Sequence, residues 1–218
     1  MAPPEITAIT EGVFFTTPPA LPRGRHTLER HAVASAQRER IMIAMTELMA
    51  AQGFNAVTIT DIAARAAVSR AAFYNVFPDK EACALAAYER FIQVLLTEVS
   101  SALAKPEPFD VALKAVITSY LRALESDPVV GRAFQVEMDA VGPQARQWRR
   151  DSLDLFARAL SQRYHAESRE QDLDESAFLG GVYAVRQIAS DALDTRERPK
   201  LTESAPVLTN WIKRIYAE

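Results

Sequence analysis

A chain of 218 residues that is 49% hydrophobic can fill one large core or two small ones, while its formal charge of −3 argues against a generic polyanion binder. One cysteine excludes an intramolecular disulfide and fits a reducing compartment, and no uncharged apolar run approaches the roughly 18 residues of a membrane span. Seven glycines amid frequent Ala, Leu, Arg, Glu and Gln favour helix over sheet, so the expected fold class is all-α. The opening MAPPEITAITEGVFFTTPPALP lacks a basic leader and is interrupted by prolines, which makes a poor secretion signal and leads us to expect a cytoplasmic protein without a membrane partner.

Residues 1–34 read as an irregular, basic N-terminal arm, because five prolines fall within the first 22 positions. EITAIT suits a short strand but has no evident partner. From Ala34 the period becomes helical, with Ile41, Met45, Leu48 and Met49 on one face and Gly53 as a left-handed stop. Thr58 and Asp61 form a weak capping box for a second helix through Ala66, and Ser69 caps a third that ends near Phe77. Pro78-Asp79 starts a fourth helix, running to about Ala104. Turn signals then divide the rest into helices near 109–125, 128–140, 143–165, 174–195 and 202–217.

Two short helices across a tight turn are either packing or a helix-turn-helix, and residue types separate the two. Ile62, Ala63, Val68, Phe73 and Phe77 fall where the short helices and the long first helix would meet. Arg70, Ala71, Tyr74 and Asn75 lie on the other side of the third helix. Such a helix can enter the major groove, where Arg pairs with guanine, Asn with adenine, and Ala approaches a thymine methyl. Lys80 stands in the first turn of the fourth helix, where the macrodipole disfavours a cation and a phosphate would offset the cost.

The segment RERIMIAMTELMAAQGFNAVTITDIAARAAVSRAAFYNVFPDKEACALAAY, residues 38–88, resembles the TetR family of bacterial transcriptional regulators. The shared order is a first helix ending in Gly-Phe, then Thr-x-x-Asp-Ile-Ala, Val-Ser, Phe-Tyr-x-x-Phe and x-Lys-Glu. The resemblance implies a DNA-binding domain at 35–80 and a helical effector-binding and dimerisation domain at 81–218. It also implies Thr58 and Thr60 at the backbone-facing start of the second helix, and Arg70, Ala71 and Asn75 at base edges. Tyr74 and Lys80 would hold phosphates, and Ser69 would cap the recognition helix and touch one. Ala67 departs from the family's usual glycine, at a turn position that needs positive φ. Residues 21–40 hold five arginines against two glutamates, a net of +3 beside the reading unit. Within them, Arg23 and Arg25 suit either an arm entering a minor groove or a solubilising tail.

Beyond residue 90 the resemblance is architectural. Phe91, Leu95, Tyr120, Leu124, Phe134, Met138, Trp148 and Ser152 fall on apolar helix faces that suit either an effector cavity or plain core. Glu137, beside that face, needs Arg122, Arg132 or a cationic ligand. In the last long helices Leu153, Phe156, Leu160, Phe178, Gly181, Val182 and Val185 suggest a homodimer interface across a two-fold axis. His26, His31, His165 and Cys83 show no ligand spacing, no nucleotide or hydrolase motif occurs, and neither cofactor, metal nor enzymatic activity is expected. The expected function is a ligand-responsive repressor that leaves operator DNA when a largely apolar small molecule binds. The alternative is a helical binding or structural dimer without effector-controlled DNA binding.

Overall fold

The computed structural model describes residues 5–19, 30–167, 173–195 and 200–217. Those residues form nine α-helices: α1 (Arg30–Gln52), α2 (Ile59–Arg65), α3 (Arg70–Tyr74), α4 (Lys80–Leu103), α5 (Phe109–Ser126), α6 (Pro128–Gln135), α7 (Pro143–Glu167), α8 (Glu175–Leu193) and α9 (Ala205–Ala217). No strand occurs among them beyond an isolated bridge between Glu11 and Phe15. No helix there is long and apolar enough to cross a membrane.

Helix boundaries follow local chemistry. The capping box is complete: Thr58 Oγ1 accepts from Asp61 N at 3.2 Å, and Asp61 Oδ2 accepts from Thr58 N at 3.1 Å. Ser69 caps α3 and Asp79 caps α4, each accepting the amide three residues on at 3.0 and 2.7 Å. α2 ends with Val68 N bonded to Ala63 O and Ala67 N to Ala64 O, the paired bonds of a left-handed helix stop. Ala67 holds that stop at φ 53, so the turn keeps the shape glycine would give it. The helix expected over 128–140 breaks at Val136 into α6 and a 3₁₀ turn at Met138–Val141.

Ile62, Ala63 and Phe73 are buried where α2 and α3 pack against α1, and α1 in turn packs against α4 and α6. The described N-terminal segment, residues 5–19, has no regular element but is packed against the body and is not a free arm. Residues 5–10 form no strand, yet Ile9, Phe14 and Phe15 are buried, with the Phe14 ring 5.2 Å from that of Phe91. Ile9 N donates to Glu47 of α1 at 3.1 Å, and Thr10 N donates to Asp127 at 3.0 Å. The segment is therefore a strap joining α1 to the start of α6. Apolar residues among prolines supplied its packing; only the prolines were legible.

Candidate nucleic-acid interface and effector cavity

Around the helix turn, Thr58, Thr60, Ser69, Arg70, Ala71, Tyr74 and Asn75 are all exposed, and the Tyr74 ring is half-exposed edge-on to buried Phe73. Arg70 makes no hydrogen bond or ion pair with the described residues. The face thus combines an unengaged guanidinium, a phenol, an amide and a small methyl, the groups that hydrogen-bond and pack in a DNA groove.

Lys80 is differently placed from its expected role. It is partly buried, and its Nζ donates to Phe54 O at 3.2 Å and Val57 O at 3.0 Å while sitting 4.4 Å above the Phe54 ring. These internal acceptors, at the end of the 3₁₀ turn Phe54–Ala56, offset the unfavourable helix end without a phosphate. Two arginines of the basic stretch are also engaged: Arg38 lies 4.6 Å over Phe77, and Arg40 holds the Pro18 and Pro19 carbonyls. Arg23 and Arg25 lie outside the described residues.

A narrow cavity of about 70 Å³ lies among α4, α5, α7, α8 and α9. Leu95, Tyr120 and Ser152, three of the nine candidate effector residues, line it. Phe91, Leu124, Phe134 and Met138 do not; they are fully buried on faces turned to the strap, α1 and α6, where the Phe91 and Phe134 rings meet tilted, 5.2 Å apart. Glu137 finds Arg132, at 3.4 Å, and lies against Gly53. Trp148 lines an outer groove between α4 and α7, which shares Tyr88, Ile92 and Ser152 with the cavity.

The candidate interface residues point inward instead. Leu153, Phe156, Leu160, Gly181, Val182 and Val185 line the cavity, and Phe178 is buried with its ring 4.6 Å from Tyr216. A helix apolar on two faces needs a partner on each, and the sequence did not show which face α4, α5 and α9 would take. The apolar side chains that α7 and α8 expose are Leu155, Tyr183 and Ile188.

Polar lining groups escaped the sequence reading: Tyr88, Gln135, Arg149, Arg186 and Tyr216. The available signal was Arg186 itself, the one cation of α8, following the apolar run from Ala177 to Val185. Arg186 donates to the Gln135 carbonyl at 2.9 Å and has no carboxylate partner among the described residues. Arg149 is paired with Asp139 and its Nε is buried without a partner. Burial pushes the Tyr88 phenol up to about 12 and raises Tyr120 and Tyr216 as well, so all three remain neutral donors at ordinary pH. Among the described residues no group of three His, Cys, Asp or Glu is placed to hold a metal ion.

Residues 41–87 match the profile of the bacterial regulatory proteins, tetR family. Among solved structures, the fatty acid degradation regulator FadR from Bacillus halodurans superposes with a TM-score of 0.71 at 16% identity, over 81% of this chain and 94% of that one. FadR from Bacillus subtilis, in complex with stearoyl-CoA, gives 0.66 at 16% identity over 79% and 96%. The TetR family regulator PfmR from Thermus thermophilus gives 0.65 at 20% identity over 81% and 95%. No curated protein matches the chain by sequence. A helix-turn-helix head on an all-helical body is the architecture these solved structures share with this chain. The head is that of the tetR family, and the whole chain has the TetR-family fold, an N-terminal DNA-binding domain with a C-terminal helical domain.

Proposed function

We propose that this protein is a homodimeric repressor that reads operator DNA with α3 and releases it when a small, largely apolar molecule enters the cavity. The observation that carries the reading is α4, which starts beside the helix-turn-helix at Lys80 and lines the cavity with Tyr88, Ile92, Leu95 and Val99. An occupant that displaces α4 moves the reading head, so ligand and DNA weaken each other by the same factor. Dimerisation uses the outer face of α7 and α8, where Leu155, Tyr183 and Ile188 are exposed. The solved FadR with stearoyl-CoA supports an effector occupant for this fold.

In this reading Arg70, Ala71 and Asn75 meet base edges, while Thr58, Thr60, Ser69 and Tyr74 hold the backbone. The test is selection of DNA fragments by the purified protein, followed by affinity measurements on the recovered site with Arg70→Ala and Asn75→Ala. Each should cost about 1–3 kcal/mol and relax preference at particular base pairs. Unchanged affinity and preference in Arg70→Ala would refute the assignment of α3.

A further inference from the structure

The cavity is sorted along its length, and all four long helices agree on the direction. Its polar groups are Tyr88 on α4, Tyr120 on α5, Arg149 and Ser152 on α7, and Arg186 on α8, with Gln135 beside Arg186. These groups lie within electrostatic reach of one another, since Arg186 acts on both phenols and Arg149 on Tyr88. Moving away from that end, α4 offers Ile92, Leu95 and Val99, α7 offers Leu153, Phe156 and Leu160, and α5 and α8 are equally apolar. From Tyr88 to Val99 is eleven residues, about 16 Å of helix. Tyr216 closes the far end, its hydroxyl fitting against Gly181, where an added Cβ would come within 2.7 Å.

The polar end has the wrong balance for an empty core. Among the described residues two arginines and no carboxylate line the cavity; Asp139, outside the lining, neutralises Arg149, and Arg186 keeps only a backbone carbonyl there. Gln135 is 6% exposed and its Oε1 has no hydrogen-bond partner. Its amide can turn over to give a donor or an acceptor, so it adapts to what occupies the end. Buried polar atoms left unpaired are costly: Gln135 Oε1 and Arg149 Nε lie at this end of the shaft, and the Tyr216 hydroxyl is a single unpaired group at the other.

We infer, building on the effector reading, that the cavity takes a linear amphiphile with a free carboxylate, head against Arg186 and chain directed toward Tyr216. A cationic head would face two arginines, and a neutral one would leave the Arg186 charge uncompensated. The head is a free acid, not an acyl thioester of a phosphorylated carrier. Among the described residues the outer groove beside this end carries Glu89 and Asp151 and no cation, which repels phosphates.

The test uses the full chain with decanoate, decanol, decylamine and decanoyl-CoA, each below its micelle onset, by calorimetry and thermal shift. Decanoate should bind about 10- to 100-fold tighter than decanol, the range for a hydrogen-bonded charge. Arg186→Met should remove that advantage and leave decanol binding unchanged, while Arg186→Lys should restore part of it. Equal binding of decanol or decylamine, tighter binding of decanoyl-CoA, an unaffected Arg186→Met, or no binding of any probe each overturns the inference. Operator affinity is measured separately. Decanoate that binds with the expected pattern but leaves DNA affinity unchanged supports the ligand class and refutes the proposed switch.

Discussion

The substitution Ala67→Gly isolates one backbone conformation from everything else in the head. Ala67 ends α2 at φ 53, is exposed, and takes part only through its backbone, with Ala67 N bonded to Ala64 O at 3.2 Å. An L-residue in the left-handed region costs about 1–2 kcal/mol, because Cβ approaches its own carbonyl oxygen. Glycine removes that cost but adds about 0.5–1 kcal/mol of chain entropy to the unfolded state. Taking the centre of each range, the difference predicts a net gain of about 0.75 kcal/mol. In a protein of this size 1 kcal/mol shifts Tm by about 2–4 °C. The readouts are urea midpoint and Tm, with Ala67→Val as the opposite control, since a β-branched side chain fits that region worse. The bonds from Val68 to Ala63 and from Ala67 to Ala64 persist in either variant, so DNA affinity should stay close to that of the parent. An Ala67→Gly protein no more stable than the parent would refute the strain argument.

Lys80→Met should lower stability and weaken all DNA sequences alike without changing the salt dependence, since Lys80 Nζ binds the Phe54 and Val57 carbonyls; a salt slope reduced by about one contact would instead restore its phosphate role. Asp127 is raised to about 6, chiefly by burial, against the amides of Val130, Thr10 and Val129, with Glu47, itself paired to Arg65, adding repulsion. The folded state therefore holds this proton more tightly than the unfolded chain, and the stability it contributes is present at low pH and lost as pH rises from about 4 through 6. The stability of the parent relative to Asp127→Asn should accordingly be greater at pH 5 than at pH 7.5, and the opposite trend in urea melts would be decisive against it. Ile188→Asp together with Leu155→Asp should turn a dimeric mass into a monomeric one without lowering helix content, whereas a monomeric parent at micromolar concentration rules the outer face out. Arg132→Met should leave decanoate binding within a few-fold and reduce the factor by which decanoate weakens DNA binding; an undiminished factor removes α6 from the coupling route.

The head was legible because its signals are local. Gly53, the Thr58–Asp61 box, Ser69 and Asp79 each act within a few residues, and each stands where it caps or stops a helix. α1 already includes Arg30, one turn before Ala34. The body was legible only as helices. Phe91 and Leu95 are one turn apart on α4, yet the first packs under the strap and the second lines the cavity. Periodicity ranks residues by burial and cannot tell a wall from a core. The strap and the inward turn of Leu153, Phe156 and Leu160 depend on contacts between elements far apart in sequence, which no local pattern encodes.

The polar end of the cavity is also joined to the head by a chain of hydrogen bonds that the proposed switch would use. Gln135 O accepts from Arg186 at 2.9 Å and from Ser190 Oγ at 2.9 Å, so α6 is tied to the α8 face that lines the cavity. Three residues earlier, Arg132 donates to Ala50 O of α1 at 3.1 Å and to Leu193 O of α8 at 3.2 Å. At the other end of α6, Asp127 receives the strap, whose neighbouring amide is held by Glu47 of α1, the residue that pairs with Arg65 of α2 at 2.7 Å. α6 therefore meets α1 through a guanidinium at one end and through the strap at the other. Charge-assisted bonds hold direction as well as distance, so these part-buried contacts couple the position of α6 to that of α1. In the proposed switch a head group drawing Arg186 toward itself would pull on the Gln135 carbonyl and load that coupled pair, while a chain spreading α4 from α7 would load the other helix on which α1 rests. The two loads differ in origin: decanol supplies only the second and decanoate supplies both. On that reasoning decanoate should weaken operator binding more than decanol does even when each saturates the cavity, and equal weakening at saturation would assign the switch to α4 alone.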